Sequence, residues 1–150
     1  MSNYDSLKLE NQLCFPLYAC SKAIVHRSNA FLSHINLSYT QYIVMMVLWE
    51  QRQISLKDLG KILFLDSGTL TPVLKNLEAK GYLTRQRDKK DERILLLSLT
   101  AQGRKLREKA LAIPENMRQC ISLGDDEMET LYRLLYKIIG HLEPQDSPDK

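Results

Sequence analysis

Residues 55–99 read SLKDLGKILFLDSGTLTPVLKNLEAKGYLTRQRDKKDERILLLSL, and this stretch decides the architecture. Ser55 followed by Asp58 is a helix-start pattern, and Leu56, Leu59, Ile62 and Leu63 line one face of the helix it opens. After a turn near Phe64 to Ser67, Leu70, Val73, Leu74 and Leu77 form the inward stripe of a second helix, which Gly81 closes. Tyr82 to Arg87 and Arg93 to Ser98 are strand-like runs. The loop between them, Asp88-Lys89-Lys90-Asp91-Glu92, is charged and too long for a two-residue turn, so the pair reads as a hairpin. Helix, helix and a hairpin with a basic loop is the order of a winged helix-turn-helix module, which reads DNA.

With Leu70 at the centre of the buried side, the 3.6-residue period turns Gly68, Thr71, Pro72, Lys75, Asn76 and Ala79 outward. That face is small, polar and singly basic, as suits entry into a major groove. Pro72 leaves two starts open for this helix: near Thr69, with the proline in the first turn, or near Ser67, with some strain. Candidate contacts are Ser67, Thr69, Thr71 and Lys75, with backbone N–H groups at the helix start open to phosphate. In the hairpin loop, Arg93 beside Lys89 and Lys90 suits an adjacent minor groove. The competing reading is a solvated hairpin with ordinary charges.

Working outward, 150 residues with 44% apolar and 26% charged content suffice for one globular domain without disulfide or metal staples. The net charge is only +3, but residues 51–110 hold 14 Lys and Arg against 7 Asp and Glu, while the flanks hold 7 against 11. Positive charge therefore gathers on the reader. No apolar run approaches membrane-spanning length, and the opening MSNYDSLKLE lacks a secretory pattern, so a cytoplasmic protein with no membrane partner is expected.

Upstream, residues 1 to about 10 read as an extended or frayed lead-in. Leu13, Leu17, Cys20, Ile24, Phe31 and Ile35 then mark a long amphipathic helix ending near His34, with Pro16 in its first turn and Cys14 in or just before that turn. Ser38 with Gln41 is a capping box opening a helix to about Glu50, apolar enough to be buried on most faces. Downstream, Thr100 starts a helix toward Ile113, kinked or interrupted at Pro114 before continuing to about Ser122. Asp125 to Leu142 is the last helix, with an apolar stripe wide enough to need a partner subunit. Residues 144–150 read as disordered. His26, His34 and His141 are scattered surface or boundary residues. Cys14, Cys20 and Cys120 show no metal-ligand spacing, so neither metal nor cofactor is expected.

Three separated stretches, LENQLCFPLY (9–18), LDSGTLTP (65–72) and DERILLLSLT (91–100), together resemble the multiple antibiotic resistance regulator (MarR) family and, more closely, its organic hydroperoxide resistance regulator (OhrR) branch. The resemblance runs from Leu9 to about Leu142. It implies a mainly α fold with a small β-hairpin wing: one domain, with a winged helix-turn-helix lobe over about 51–99 and dimerisation helices over about 10–36 and 101–143. It further implies a homodimeric repressor, not an enzyme, on a pseudo-palindromic operator. The family's recognition-helix contacts carry over to Ser67, Thr69, Thr71 and Lys75, and its wing-tip acid and arginine to Asp91 and Arg93, the acid orienting the guanidinium.

In that branch the cysteine of the LCF motif, here Cys14, senses organic hydroperoxides. A thiolate attacks the peroxide oxygen and becomes a sulfenic acid, and a helix N-terminus near Cys14 supplies favourable electrostatics. The branch holds its thiolate with two tyrosines. One matches Tyr39 and the other falls on Ser28, a departure, with Tyr18 and Tyr42 as nearby candidates. In two-cysteine members a cysteine in the helix after the wing resolves the sulfenate as an intersubunit disulfide, and Cys120 falls at about that spacing. The alternatives are a merely buried Cys120, with a small thiol capping Cys14. Within its own helix Cys20 does not suit as a partner, because six helical residues rise about 9 Å and disulfides need Cα atoms within about 7 Å. Two other functions stay open: a regulator answering a small phenolic ligand, and a thiol peroxidase, for which the helix-turn-helix and wing would have no use.

Overall fold

The computed structural model of the chain describes residues 3–143. Seven helices and three strands follow one another as α1 (Cys14–Leu32), α2 (Tyr39–Gln51), β1 (Gln53–Ser55), α3 (Leu56–Leu63), α4 (Ser67–Ala79), β2 (Leu83–Arg87), β3 (Leu95–Leu99), α5 (Ala101–Ala110), α6 (Ile113–Ile121) and α7 (Asp125–Leu142) among the described residues. The fold is mainly helical with a small antiparallel sheet, as expected. Two compact units divide between Asn116 and Met117.

The first unit is built around α2. Ser38 Oγ accepts from Gln41 N (3.2 Å) and Gln41 Oε1 accepts from Ser38 N (3.0 Å), closing the expected capping box. Tyr42, Val44, Met45, Val47 and Leu48 are buried, so the helix shows its apolar residues to several neighbours at once. Around it pack α3, α4, α5 and the sheet. Leu59 of α3, Leu70, Leu74 and Leu77 of α4, Leu83 of β2 and Leu97 of β3 complete the core. Trp49 closes the α5 side by donating from Nε1 to the Gly103 carbonyl (2.9 Å). At Gly103 a Cβ would run into the Tyr82 carbonyl and come within 2.8 Å of Leu99 Cδ1, so only glycine lets α5 sit this close to the sheet.

The sheet departs from a two-strand expectation. Its order is β1-β3-β2, with Ile54 opposite Leu97 and Arg87 opposite Leu95. The third strand is only three residues long and ends on Ser55, whose Oγ also caps α3 by accepting from Asp58 N (3.1 Å). The expected strands are also shifted, to Leu83–Arg87 and Leu95–Leu99, because Arg93 and Ile94 belong to the turn.

Other boundaries move for local reasons. The lead-in is two 3-10 turns, Asp5–Leu7 and Leu9–Asn11, tied by Asn11 Nδ2 to the Asp5 carbonyl (2.6 Å) and Gln12 Nε2 to the Ser6 carbonyl (2.5 Å). α1 ends at Leu32 and tightens into a 3-10 turn over Ser33–Ile35, with Asn36 in the left-handed region. The break between α5 and α6 falls at Leu111 and Ala112, ahead of Pro114. Pro114 occupies the first turn of α6, where its missing N–H costs nothing. Ile62, expected inward on α3, is exposed. His26, His34 and His141 are exposed, as expected.

In the second unit Gly124 N donates to Glu127 Oε1 (3.1 Å) at the start of α7, and Arg118 pairs with Asp125. None of the described residues of α7 is buried. Leu131, Tyr132, Leu134, Tyr136, Ile138 and Leu142 are all exposed, and the rings of Tyr132 and Tyr136 lie 4.7 Å apart. The expected disordered tail, 144–150, lies outside the described residues.

Two stability measurements follow. Leu74→Ala empties a fully buried site on α4 and should cost about 2–5 kcal/mol in denaturant unfolding, whereas Leu111→Ala, at a 70% exposed side chain, should stay within about 0.5 kcal/mol. The second concerns Glu78 of α4, whose carboxylate accepts from Arg85 N (2.8 Å) and from the Arg85 guanidinium (3.1 Å). These bonds hold the Glu78 carboxyl below the usual range. Its contribution is present above the unfolded value of about 4.3 and is lost as pH falls through the lower folded value. Melting temperature followed from pH 6 to 3 should therefore fall less steeply in Glu78→Gln than in the parent.

Candidate nucleic-acid interface and cysteine site

α4 begins at Ser67, which settles the two starts that Pro72 left open. The cap is Asp66: its Oδ1 accepts from Thr69 N at 2.7 Å. Pro72 is thus the sixth helical residue, past the first turn, and the Gly68 carbonyl loses its usual i+4 donor. Beside it the Thr71 Oγ1 donates to the Ser67 carbonyl (2.6 Å). Gly68, Pro72, Lys75, Asn76 and Ala79 are exposed as the period demanded, with Ser67 and Thr69 beside them.

Two expectations for this face need correction. The Thr69 N–H is not open to phosphate, since the Asp66 carboxylate takes it; hydrogen bonds from Thr69 and then Gly68 hold that carboxyl below the usual range. Thr71 is half-buried and spends its hydroxyl on its own helix. Asp66 lies outside the sequence expectation for this helix start, although Asp66-Ser67-Gly68-Thr69 is itself an N-cap pattern.

The far end of α4 is tied down by polar contacts that sequence reasoning also missed. Gln41 Nε2 donates to Asn76 Oδ1 (2.8 Å), and Lys80 Nζ donates to the Asn36 carbonyl (2.6 Å) and to Gln41 Oε1 (3.3 Å). Together with the Glu78–Arg85 fork, these bonds join the helix to the start of α2 and to β2. No local pattern reveals them, since they link residues 35 and more positions apart in sequence.

The wing tip is a seven-residue turn over residues 88–94. Asp88 N donates to the Ile94 carbonyl (2.9 Å), Ile94 N to the Asp91 carbonyl (3.0 Å) and Lys90 N to Asp88 Oδ1 (3.0 Å). At its apex the Arg93 Nε and Nη2 donate to the two Asp91 oxygens, each at 3.0 Å, and Arg93 N donates to Asp91 Oδ1 at 3.1 Å. The fork holds the Asp91 carboxyl below its usual range and raises the Arg93 guanidinium. Because the Arg93 side chain is 90% exposed, the fork orients a cation outward without burying it. Lys89 and Lys90 are exposed beside it.

Cys14 is the first residue of α1 and is exposed, with Pro16 in the same first turn. The adjacent Phe15 lines an apolar groove of about 550 Å³ with Lys8, Leu9 and Glu10. Tyr18 is one turn on from Cys14 and so shares its face of the helix; Lys22 Nζ lies 5.2 Å from the Tyr18 ring centroid. Ser28 and Tyr39 are not brought to Cys14 within one chain. Ser28 stands about 21 Å along the helix at 1.5 Å per residue, fully buried, with its Oγ donating to the Val25 carbonyl (2.5 Å). Tyr39 follows the other end of α1, about 27 Å of helix from Cys14, with its ring against Tyr42 (6.3 Å between centroids). Tyr42 belongs to the core, stacked edge-on to Trp49, and burial pushes its phenol up. Cys20 and Cys120 are free and exposed, so the reading of Cys120 as merely buried does not hold. Among the described residues no group of His, Cys, Asp and Glu is arranged to hold a metal ion, and no helix is long and apolar enough to cross a membrane.

A family model for the transcriptional regulators SarA/Rot matches residues 28–110. The chain is 39% identical over 145 residues to the organic hydroperoxide resistance transcriptional regulator of Bacillus subtilis, covering 97% of this chain and 99% of that one. It is 48% identical over 132 residues to the regulator SarZ of Staphylococcus aureus, covering 88% and 89%. Among solved structures, reduced AbfR bound to DNA matches at 34% identity with a TM-score of 0.75, over 94% of this chain and 99% of that one. AbfR of Staphylococcus epidermidis is also known overoxidised on DNA (TM-score 0.75) and in a disulfide-formed state (TM-score 0.61). Near-full-length identity and a shared winged-helix fold place the chain in the MarR family of DNA-binding transcription regulators, in its organic hydroperoxide resistance branch.

Proposed function

We propose that the chain is a homodimeric repressor that binds a pseudo-palindromic operator and is released when an organic hydroperoxide oxidises Cys14. The observation that carries this reading is the placement of Cys14: exposed, at the first turn of α1, beside the apolar groove of Leu9 and Phe15. An alkyl chain suits such a groove better than hydrogen peroxide does. The name of the Bacillus subtilis relative supports the oxidant class, and the AbfR structures support a redox-responsive DNA binder.

The thiolate of Cys14 attacks the terminal peroxide oxygen. A sulfur–oxygen bond forms, the oxygen–oxygen bond breaks and the alcohol leaves with a proton, giving the sulfenic acid. Cys120 of a second copy then attacks the sulfenic sulfur, forming the disulfide and releasing water. The second step is the one that releases DNA, because AbfR has been found on DNA even when overoxidised. A cross-link would displace helices and alter the distance between two readers.

A second copy is needed for three reasons. Leu13, Phe15, Leu17, Tyr18 and Val25 of the α1 region are exposed, as are the apolar residues of α7, and dimerisation would cover both. The length of α1 keeps Tyr39 from the Cys14 of its own chain, so Tyr39 reaches a thiolate only across an interface. A reader with one recognition helix gains specificity when a twofold partner engages the second half-site. In each copy Ser67, Thr69, Thr71 and Lys75 of α4 enter the major groove, and Lys89, Lys90 and Arg93, aimed by Asp91, follow the wing to the flanking minor groove.

Operator binding measured by fluorescence anisotropy against cumene hydroperoxide should be lost as a covalent dimer appears on non-reducing gels. Cys14→Ser should bind but ignore the oxidant. Cys120→Ser, in the absence of small thiols, should stay bound after oxidation. Unchanged affinity at full thiol oxidation sinks the switch. For the wing, Arg93→Ala should weaken operator binding roughly tenfold or more, and Asp91→Asn by less, since it frees the guanidinium without removing it; equal affinities for all three proteins would show that the wing tip does not touch DNA.

A further inference from the structure

An N-terminal helix end aimed at DNA is ordinarily an anion site, with free N–H groups and the positive end of the dipole facing phosphate. α4 carries the opposite arrangement. Asp66 is exposed at that end, and its Oδ1 takes the Thr69 N–H at 2.7 Å, so a negative charge stands where a phosphate would dock. The exposed residues behind it, Ser67, Gly68, Thr69, Pro72, Lys75, Asn76 and Ala79, add a single cation, Lys75, and Asp66 balances it. Glu78, farther along the helix, is already paired with Arg85. The reading face of α4 is therefore electrically neutral overall, although the region around it is strongly basic.

We infer that Asp66 is a specificity-determining residue, excluding backbone phosphates from the start of α4 so that the helix gains little on random DNA and binds well only where base edges match. This rests on the reading that α4 enters the major groove. Non-specific complexes depend on phosphate contacts and counterion release. On random sequence, where a helix rides on the backbone, the carboxylate is repelled. On the operator, where base-edge hydrogen bonds hold the helix in the groove, the carboxylate lies away from the phosphates and costs little.

The test separates charge from capping. Asn caps a helix about as well as Asp, so Asp66→Asn removes the charge and keeps the Thr69 bond; Asp66→Ser is a second neutral cap should the first fold poorly. With the full-length reduced protein, anisotropy is measured on operator and on random-sequence duplex over a range of salt. Both variants should tighten random-sequence binding about threefold to tenfold near 0.1 M salt and steepen its log–log salt slope by about 1, while operator affinity stays within about twofold. An equal gain on both DNAs, no gain on either, or a selective loss on the operator overturns the inference. Lys75→Ala serves as the check on the underlying reading. If it weakens operator binding while Asp66→Asn changes nothing, this inference alone fails; if it also leaves binding unchanged, α4 is not the reading helix.

Discussion

The burial of Leu70, Leu74 and Leu77 against α2, α3 and β2 is the constraint on which the remainder of the structure depends. Those three side chains fix the rotation of α4 about its axis, and so decide which residues face outward. A helix turned by one residue would rotate about 100° and replace Lys75 with a leucine on the exposed face. Each leucine is worth about 1.5–3 kcal/mol in transfer alone. This makes the outward set a consequence of the core, not of any property of the exposed residues themselves.

Polar contacts then add what apolar packing cannot, namely direction. Burial holds α4 against the core but resists sliding and tilting only weakly. The Gln41, Asn76 and Lys80 bonds and the Glu78–Arg85 fork, all toward the C-terminal end, stop those motions, and the Asp66 cap fixes the first turn at the other end. The wing uses the same device at its apex, where Asp91 aims Arg93. None of these pairs is deeply buried, and exposed ion pairs contribute little to stability. Their effect is on geometry, which is what the reading of base edges and groove width demands.

The proposed sensor and the proposed reader meet different demands. The reader is preorganised within one chain. The sensor is not, because α1 separates Cys14 from Tyr39 by its own length and leaves apolar residues of its own exposed. A site completed only by a second copy links cysteine chemistry to subunit geometry, and subunit geometry sets half-site spacing. In this scheme DNA is released without unfolding the reader. Ser28, where the branch has a tyrosine, is fully buried and bonded to its own helix, so any thiolate hydrogen bonding here uses other hydroxyls.

Much of this was legible in the amino-acid order because it rests on local physics. Helix periodicity located the α-helices in outline but not the 3-10 turns of the lead-in, the Ser38–Gln41 box and the Ser55 and Thr100 caps marked starts to the residue, and α7 kept its expected bounds. Most residues of the reader fell on the faces that a 3.6-residue period assigns, Ile62 and Thr71 being the departures. What tertiary structure alone decided were the features made between distant residues. β1 exists because Gln53–Ser55 finds β3 some 40 positions later. The Gln41–Asn76 and Lys80–Asn36 bonds join residues that no sequence window contains. The start of α4 at Ser67, despite Pro72, was settled by the Asp66 cap and by the leucine stripe being buried in the core, which outweigh the roughly 3 kcal/mol that an interior proline costs. Periodicity and capping are properties of neighbouring residues and can be read in order; strand pairing, cross-helix bonds and the tolerance of strain depend on which surfaces meet.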